Sequence, residues 1–164
     1  MHAFLVWLES SGFSIWTRED PSIFAFPSIL TAHTIGMGIV AGINVILAFR
    51  ILGIAKDVPI AEMKRFYPVM WFGFWLNAVS GVVLLIAYPT KALTNPLFYA
   101  KLSFIAAAMV LLRVVQKKLF GTGGQVQVTP EIRRLAMVSI GCWAAAIAAG
   151  RFLAYTYHRL LSID

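Results

Sequence analysis

Residues 21–49 read PSIFAFPSILTAHTIGMGIVAGINVILAF, and no Asp, Glu, Lys or Arg interrupts them before Arg50. A helix crosses the hydrocarbon core of a bilayer with about 20 apolar residues. This run is longer, and it predicts a spanning helix over about 22–50. Asp20 followed by Pro21 suits a helix start, because Asp caps the first free N–H groups and Pro tolerates the first turn. Pro27 marks either a kink in this helix or its true beginning.

The same pattern recurs outward from that stretch. Residues 66–90 carry no formal charge and predict a second span over about 66–89. Asn95-Pro96 and Thr129-Pro130-Glu131 repeat the signal of a cap followed by Pro. They open spans over about 96–119 and 131–158. Residues 2–17 place Phe4, Trp7 and Leu8 at helical spacing, with Trp16 further on, which predicts one interfacial helix lying along the headgroups. Residues 57–66 predict a short surface helix capped by Asp57. The fold class is therefore all-α: an integral membrane four-helix bundle with an N-terminal interfacial helix, one domain over residues 1–164.

Composition agrees. Of 164 residues, 60% are apolar and 13% charged, and the mean hydropathy is +0.79. A soluble domain of this size covers itself with more charge. The net charge of +7 would fit nucleic acid in a soluble protein. Here the basic residues crowd two connectors: Arg50, Lys56, Lys64 and Arg65 in the first, and Arg113, Lys117, Lys118, Arg133 and Arg134 around the third. That is membrane topology rather than a nucleic-acid groove. The positive-inside rule puts those connectors in the cytoplasm and both termini outside. Tyr88, Tyr99, Tyr155 and Tyr157 then form an outer aromatic belt. Phe66, Tyr67 and Trp71 belong to an inner one.

Several chemistries are excluded. Cys142 is the single cysteine, so there is no intrachain disulfide and no thiolate zinc or iron–sulfur site. No Asp or Glu lies inside a span, which argues against a carboxylate proton relay. Gly121-Thr122-Gly123-Gly124 lacks the Gly-Lys-Ser/Thr ending of a phosphate loop.

What remains is a histidine in lipid. An ionisable group within a span is expensive and points to function by default. His33 shares its helix face with Met37, Val40 and Asn44, and Gly36 lies beside it. Counted from Arg50 at ~1.5 Å per residue, His33 sits ~25 Å above the inner boundary, and Arg151, counted from Arg134, sits equally high. Arg151, Tyr155 and His158 lie on one face of the fourth span. These residues predict one haem b in the outer leaflet. His33 is its axial ligand and metal-binding residue, and His158 is the second, although the same count puts His158 ~10 Å higher. Arg151 and Lys101 would meet the propionates, and Asn77 and Tyr155 would supply hydrogen bonds. A quinone or another hydrophobic pigment would suit the same place. With three histidines, two bis-histidine haems are excluded. The competing reading makes His33 an interhelical hydrogen bond and the Asn77–Ser80 stripe a glue between helices. Gly38 and Gly42, with Ala145, Ala146, Ala149 and Gly150, would then pack spans one and four closely.

The segment Phe26-Pro27-Ser28-Ile29-Leu30-Thr31-Ala32-His33-Thr34-Ile35-Gly36-Met37-Gly38, with Arg50-Ile51-Leu52-Gly53 and Gly150-Arg151-Phe152-Leu153-Ala154-Tyr155, resembles an uncharacterised bacterial family of small four-span membrane proteins. At a coarser level the layout is similar to four-helix b-type cytochromes and to the membrane domain of copper-resistance D proteins. The resemblance implies a multi-pass protein of the bacterial inner membrane. The haem reading of His33 in turn predicts electron transfer to a quinone, or to a membrane or periplasmic redox partner. The alternatives are an accessory scaffold subunit, self-association, or a metal transporter of the copper-resistance D kind.

Overall fold

The computed structural model describes residues 2–120 and 128–160, at backbone level only for residues 2, 3, 154 and 157–160. Seven α-helices and one 3₁₀ helix account for nearly all of them, and no strand occurs among the described residues. The helices are α1 (His2–Glu9), α2 (Gly12–Glu19), α3 (Phe26–Leu52), α4 (Tyr67–Ala87), α5 (Pro89–Leu93), α6 (Pro96–Phe120) and α7 (Pro130–Leu160). Four of them, α3, α4 (with the 3₁₀ helix Ile60–Phe66 that leads into it), α6 and α7, are long and apolar enough to cross a membrane.

The ends follow local chemistry, with instructive departures. The Asn95 side chain accepts from the Leu97 N–H (3.0 Å) at the start of α6, and Thr129 accepts from Ile132 (3.3 Å) at the start of α7. Asp20 behaves differently. Its carboxylate accepts from the Ser22 N–H (2.7 Å) and holds a turn, and the helix begins at Phe26 with Pro27 in its first turn. Pro27 therefore marks the start of α3 and not a kink. At the other end Gly53 adopts φ 99°, and the Ile54 N–H reaches the Phe49 carbonyl (3.0 Å), closing α3 with a left-handed cap that suits glycine. The short surface helix forms over Ile60–Phe66 as a 3₁₀ helix capped by Pro59, not by Asp57.

The predicted interfacial helix over 2–17 is two helices. Ser10 and Ser11 break it: the Ser10 hydroxyl turns back to the Trp7 carbonyl (2.9 Å), while Ser11 caps α2 through the Ser14 N–H (3.3 Å). Small hydroxyl residues face inward here. Ser14 and Thr17 are 0% exposed, whereas Phe4 and Trp7 are 61% and 65% exposed. The Ser14 hydroxyl donates to the Ala87 carbonyl (3.2 Å), as does the Arg18 guanidinium (3.4 Å). A helix leaves its last carbonyls without partners and carries partial negative charge there. Thus α1 and α2 cap the C-terminus of α4. Glu9 ties the cap down by pairing with Arg18 (3.4 Å) and accepting from Thr90 (2.6 Å).

The long helices pack in the order α4–α3–α7–α6. Val40, Leu47 and Ile51 of α3, Met70 of α4, Leu112, Val115 and Leu119 of α6, and Ile132 and Trp143 of α7 form the buried core. Helices α3 and α4 run antiparallel: His33 lies opposite Ser80, Gly73 opposite Ile39, and Asn44 opposite Met70. Helices α6 and α7 are likewise antiparallel, with Asn95 bonded to Thr156 (3.0 Å) at one end and Lys118 paired with Glu131 (2.9 Å) at the other.

Candidate functional site

Close approach of α3 and α4 builds the site. A Cβ on Gly36 would lie 2.6 Å from the Asn77 backbone nitrogen and 2.8 Å from the Gly73 carbonyl oxygen. A Cβ on Gly73 would lie 2.6 Å from the Ile39 side chain. Only glycine fits at either position, and the two backbones touch as small residues allow in membrane helices. Gly38 and Gly42 meet nothing within 4 Å. The close glycine contact thus joins spans one and two, correcting the expectation that Gly38 and Gly42 join spans one and four. Helices α3 and α7 do pack together, and Ala48 of α3 and Ala136 of α7 line one small cavity there.

This contact brings His33 into the seam. Its Nδ1 lies 3.0 Å from the Asn77 carbonyl oxygen and 3.2 Å from the Ser80 hydroxyl. A carbonyl only accepts, so Nδ1 carries the proton and donates. The Ser80 hydroxyl spends its own proton on the Leu76 carbonyl (2.6 Å), leaving its oxygen turned toward the ring. The Asn77 side-chain nitrogen returns the contact by donating to the His33 carbonyl (2.8 Å). The ring edge rests against Gly81, where an added Cβ would be 3.1 Å from Cε1. Nδ1–H donation leaves Nε2 of the uncharged ring with the lone pair.

Lys101 stands on a third helix. Its stem lies along Gly150 of α7, with Cδ and Cε 3.6 Å from the position of an added Cβ. His33 and Asn77, two of the residues singled out in the sequence, therefore share one site, while Lys101 lies in the α6–α7 contact. Arg151 and Tyr155 do not join that site. Asn44 and Ser139 line the same small cavity, where α3, α6 and α7 meet. Counting 11 residues back to His33 and 12 on to Arg151 puts both ~17 Å from that cavity, at one level. The side chain of Arg151 is nevertheless exposed, and Tyr155 is 69% exposed. Gly150, one residue earlier on α7, faces α6 instead. The side chain of His158 lies outside the described residues, so its role as second ligand has no structural counterpart here. Among the described residues no three His, Cys, Asp or Glu side chains converge.

Sequence reasoning missed two arrangements. One is the hydroxyl-and-guanidinium cap on α4, whose only signal was Ser14 and Arg18 at i, i+4. The other is the Arg113 guanidinium stacked 4.4 Å above the Trp71 ring. In the sequence Arg113 reads as a topological charge that can snorkel from its span, and Trp71 as part of an inner aromatic belt.

No curated protein and no solved structure matches the chain. The coarser likeness to b-type cytochromes and copper-resistance D proteins therefore finds no support there. A protein family does match, over residues 4–156, a range that includes His33, Asn77, Ser80, Lys101 and Arg151 but not His158. The chain belongs to that family, DUF6644, a family of unknown function.

Proposed function

We propose that this chain is a non-enzymatic, multi-pass subunit of a larger membrane assembly, with His33 as the bolt between its first two spanning helices. The observation that carries this reading is that the room beside His33 is filled by the protein itself. The α4 backbone occupies the space at Gly36, Ile39 the space at Gly73, and the imidazole the space at Gly81. An imidazole in an apolar span is costly unless its polar atoms are paired. The Asn77 carbonyl and Ser80 provide that pairing. In this reading the basic connectors face the cytoplasm and both termini lie outside, by the positive-inside rule. The test is purification in mild detergent with quantitative cross-linking of the intact membrane. Fixed-stoichiometry partners and a colourless preparation are expected. A lone, monodisperse chain with a Soret band lost in His33→Ala overturns it.

That last outcome belongs to a second reading, one haem b held through Nε2 of His33. One observation favours it: histidine ligands usually donate their other ring N–H to a carbonyl or carboxylate, as Nδ1 does here to Asn77. Lys101 would be the nearest cation for a propionate. The absorption spectrum separates the two readings, and it would also reveal a bound quinone or pigment.

A further inference from the structure

In the row α4–α3–α7–α6, the two outer helices approach each other without packing closely. They touch near the basic connectors, where the Tyr67 and Phe120 rings meet edge to face at 6.0 Å. About one turn further along α4, a groove of about 300 Å³ opens between them, lined by Trp71, Phe74, Met109, Val110, Arg113 and Val114. Its walls are apolar apart from one cation, the Arg113 guanidinium over Trp71.

We propose that this groove binds one anionic phospholipid, with an acyl chain between α4 and α6 and its phosphate on Arg113. An open groove of this size with apolar walls suits a stretch of acyl chain. Apolar walls alone choose nothing in a bilayer, because lipid tails are as apolar as the side chains. Selection therefore falls to the head. Arg113 forms no ion pair with a carboxylate among the described residues. Lys117 follows at i+4 on the same side of α6, exposed and also without an ion pair among them. Two cations at the rim of an apolar cleft, beside connectors rich in Lys and Arg, complement an anionic headgroup rather than a zwitterionic one. A guanidinium also matches phosphate in geometry, as an ammonium does not.

The experiment is native mass spectrometry of the full chain in mild detergent. The chain is exposed to phosphatidylglycerol and phosphatidylcholine with identical acyl chains. One retained phosphatidylglycerol per chain is expected, preferred at least fivefold, the factor in keeping with Arg113 alone. Arg113→Gln should lower the preference about fivefold while Lys117 keeps the remainder, and Arg113→Lys should lose less of it. Val110→Trp, at a position 62% exposed, should fill the groove and reduce retention of both lipids while the circular dichroism stays unchanged. Undiminished preference in Arg113→Gln, undiminished retention in Val110→Trp, or a polypeptide retained in place of lipid would each overturn the proposal.

Discussion

Gly36→Ala places the central contact under direct stress. The added methyl would sit 2.6 Å from the Asn77 nitrogen and 2.8 Å from the Gly73 oxygen, and both obstacles are backbone, so no rotamer change relieves them. Comfortable contact is ~3.5–4.0 Å. The helices must therefore part by roughly 1 Å near His33. The 3.0 Å bond from Nδ1 to Asn77 and the 2.8 Å bond from Asn77 to the His33 carbonyl would stretch past hydrogen-bonding range. Interhelical hydrogen bonds in membranes contribute ~0.6–2 kcal/mol each, and overpacking costs ~1–3 kcal/mol. Together they predict a loss of about 2–7 kcal/mol. Gly38→Ala and Gly42→Ala are the controls, since nothing lies within 4 Å of either added methyl. They should be neutral, or stabilising by up to ~1 kcal/mol through helix propensity. Unfolding by SDS titration in mixed micelles, followed by tryptophan fluorescence, reads all three. If Gly36→Ala lies within about 0.5 kcal/mol of Gly38→Ala, the α3–α4 seam is not built as described.

Other perturbations follow from the same contacts. His33→Ala and Ser80→Ala should each cost ~1–3 kcal/mol, and because their side chains meet directly at 3.2 Å the pair should couple by about 0.5 kcal/mol or more in a double-mutant cycle. An additive cycle would mean that the two side chains act independently. Ser14→Ala with Arg18→Gln removes two donors from the Ala87 carbonyl, for a loss of ~1–2 kcal/mol. Hydrogen exchange should quicken in α1, α2 and the last turn of α4, and leave α6 unchanged. Gly150→Ala should be tolerated, because its methyl would meet the Lys101 stem at an ordinary 3.6 Å. Gly150→Leu would displace the Lys101 stem and destabilise the α6–α7 pair by ~1–3 kcal/mol, measurable in the same SDS titration.

Much of the architecture was legible because a bilayer imposes its own periodicity. Charge-free runs between Pro21 and Phe49 and between Phe66 and Thr90 leave few alternatives to long apolar helices. Asn95-Pro96 and Thr129-Pro130 start helices by chemistry local to a few residues. The errors fell where local signals compete. Asp20-Pro21 can cap a helix or hold a turn, and here it holds a turn. Ser10-Ser11 ended one amphipathic run and capped the next, so α1 and α2 separated.

The candidate site divides along the same line. Composition and spacing by themselves determined four apolar helices, their approximate ends, and a histidine in the first that demanded a partner. Asn77 and Ser80 were visible as a polar stripe, and equal heights for His33 and Arg151 could be counted along two helices. Tertiary structure alone decided which faces meet. Helical register puts a residue on a face, but the rotation of that face depends on its neighbours. The 2.6 Å approach at Gly36 turned His33 into α4, and the seating of α6 on Gly150 turned Lys101 inward while Arg151, one residue on, pointed out. A rotation of 100° per residue separates those two fates. No pattern within a single helix encodes it, because the choice belongs to the packing between helices.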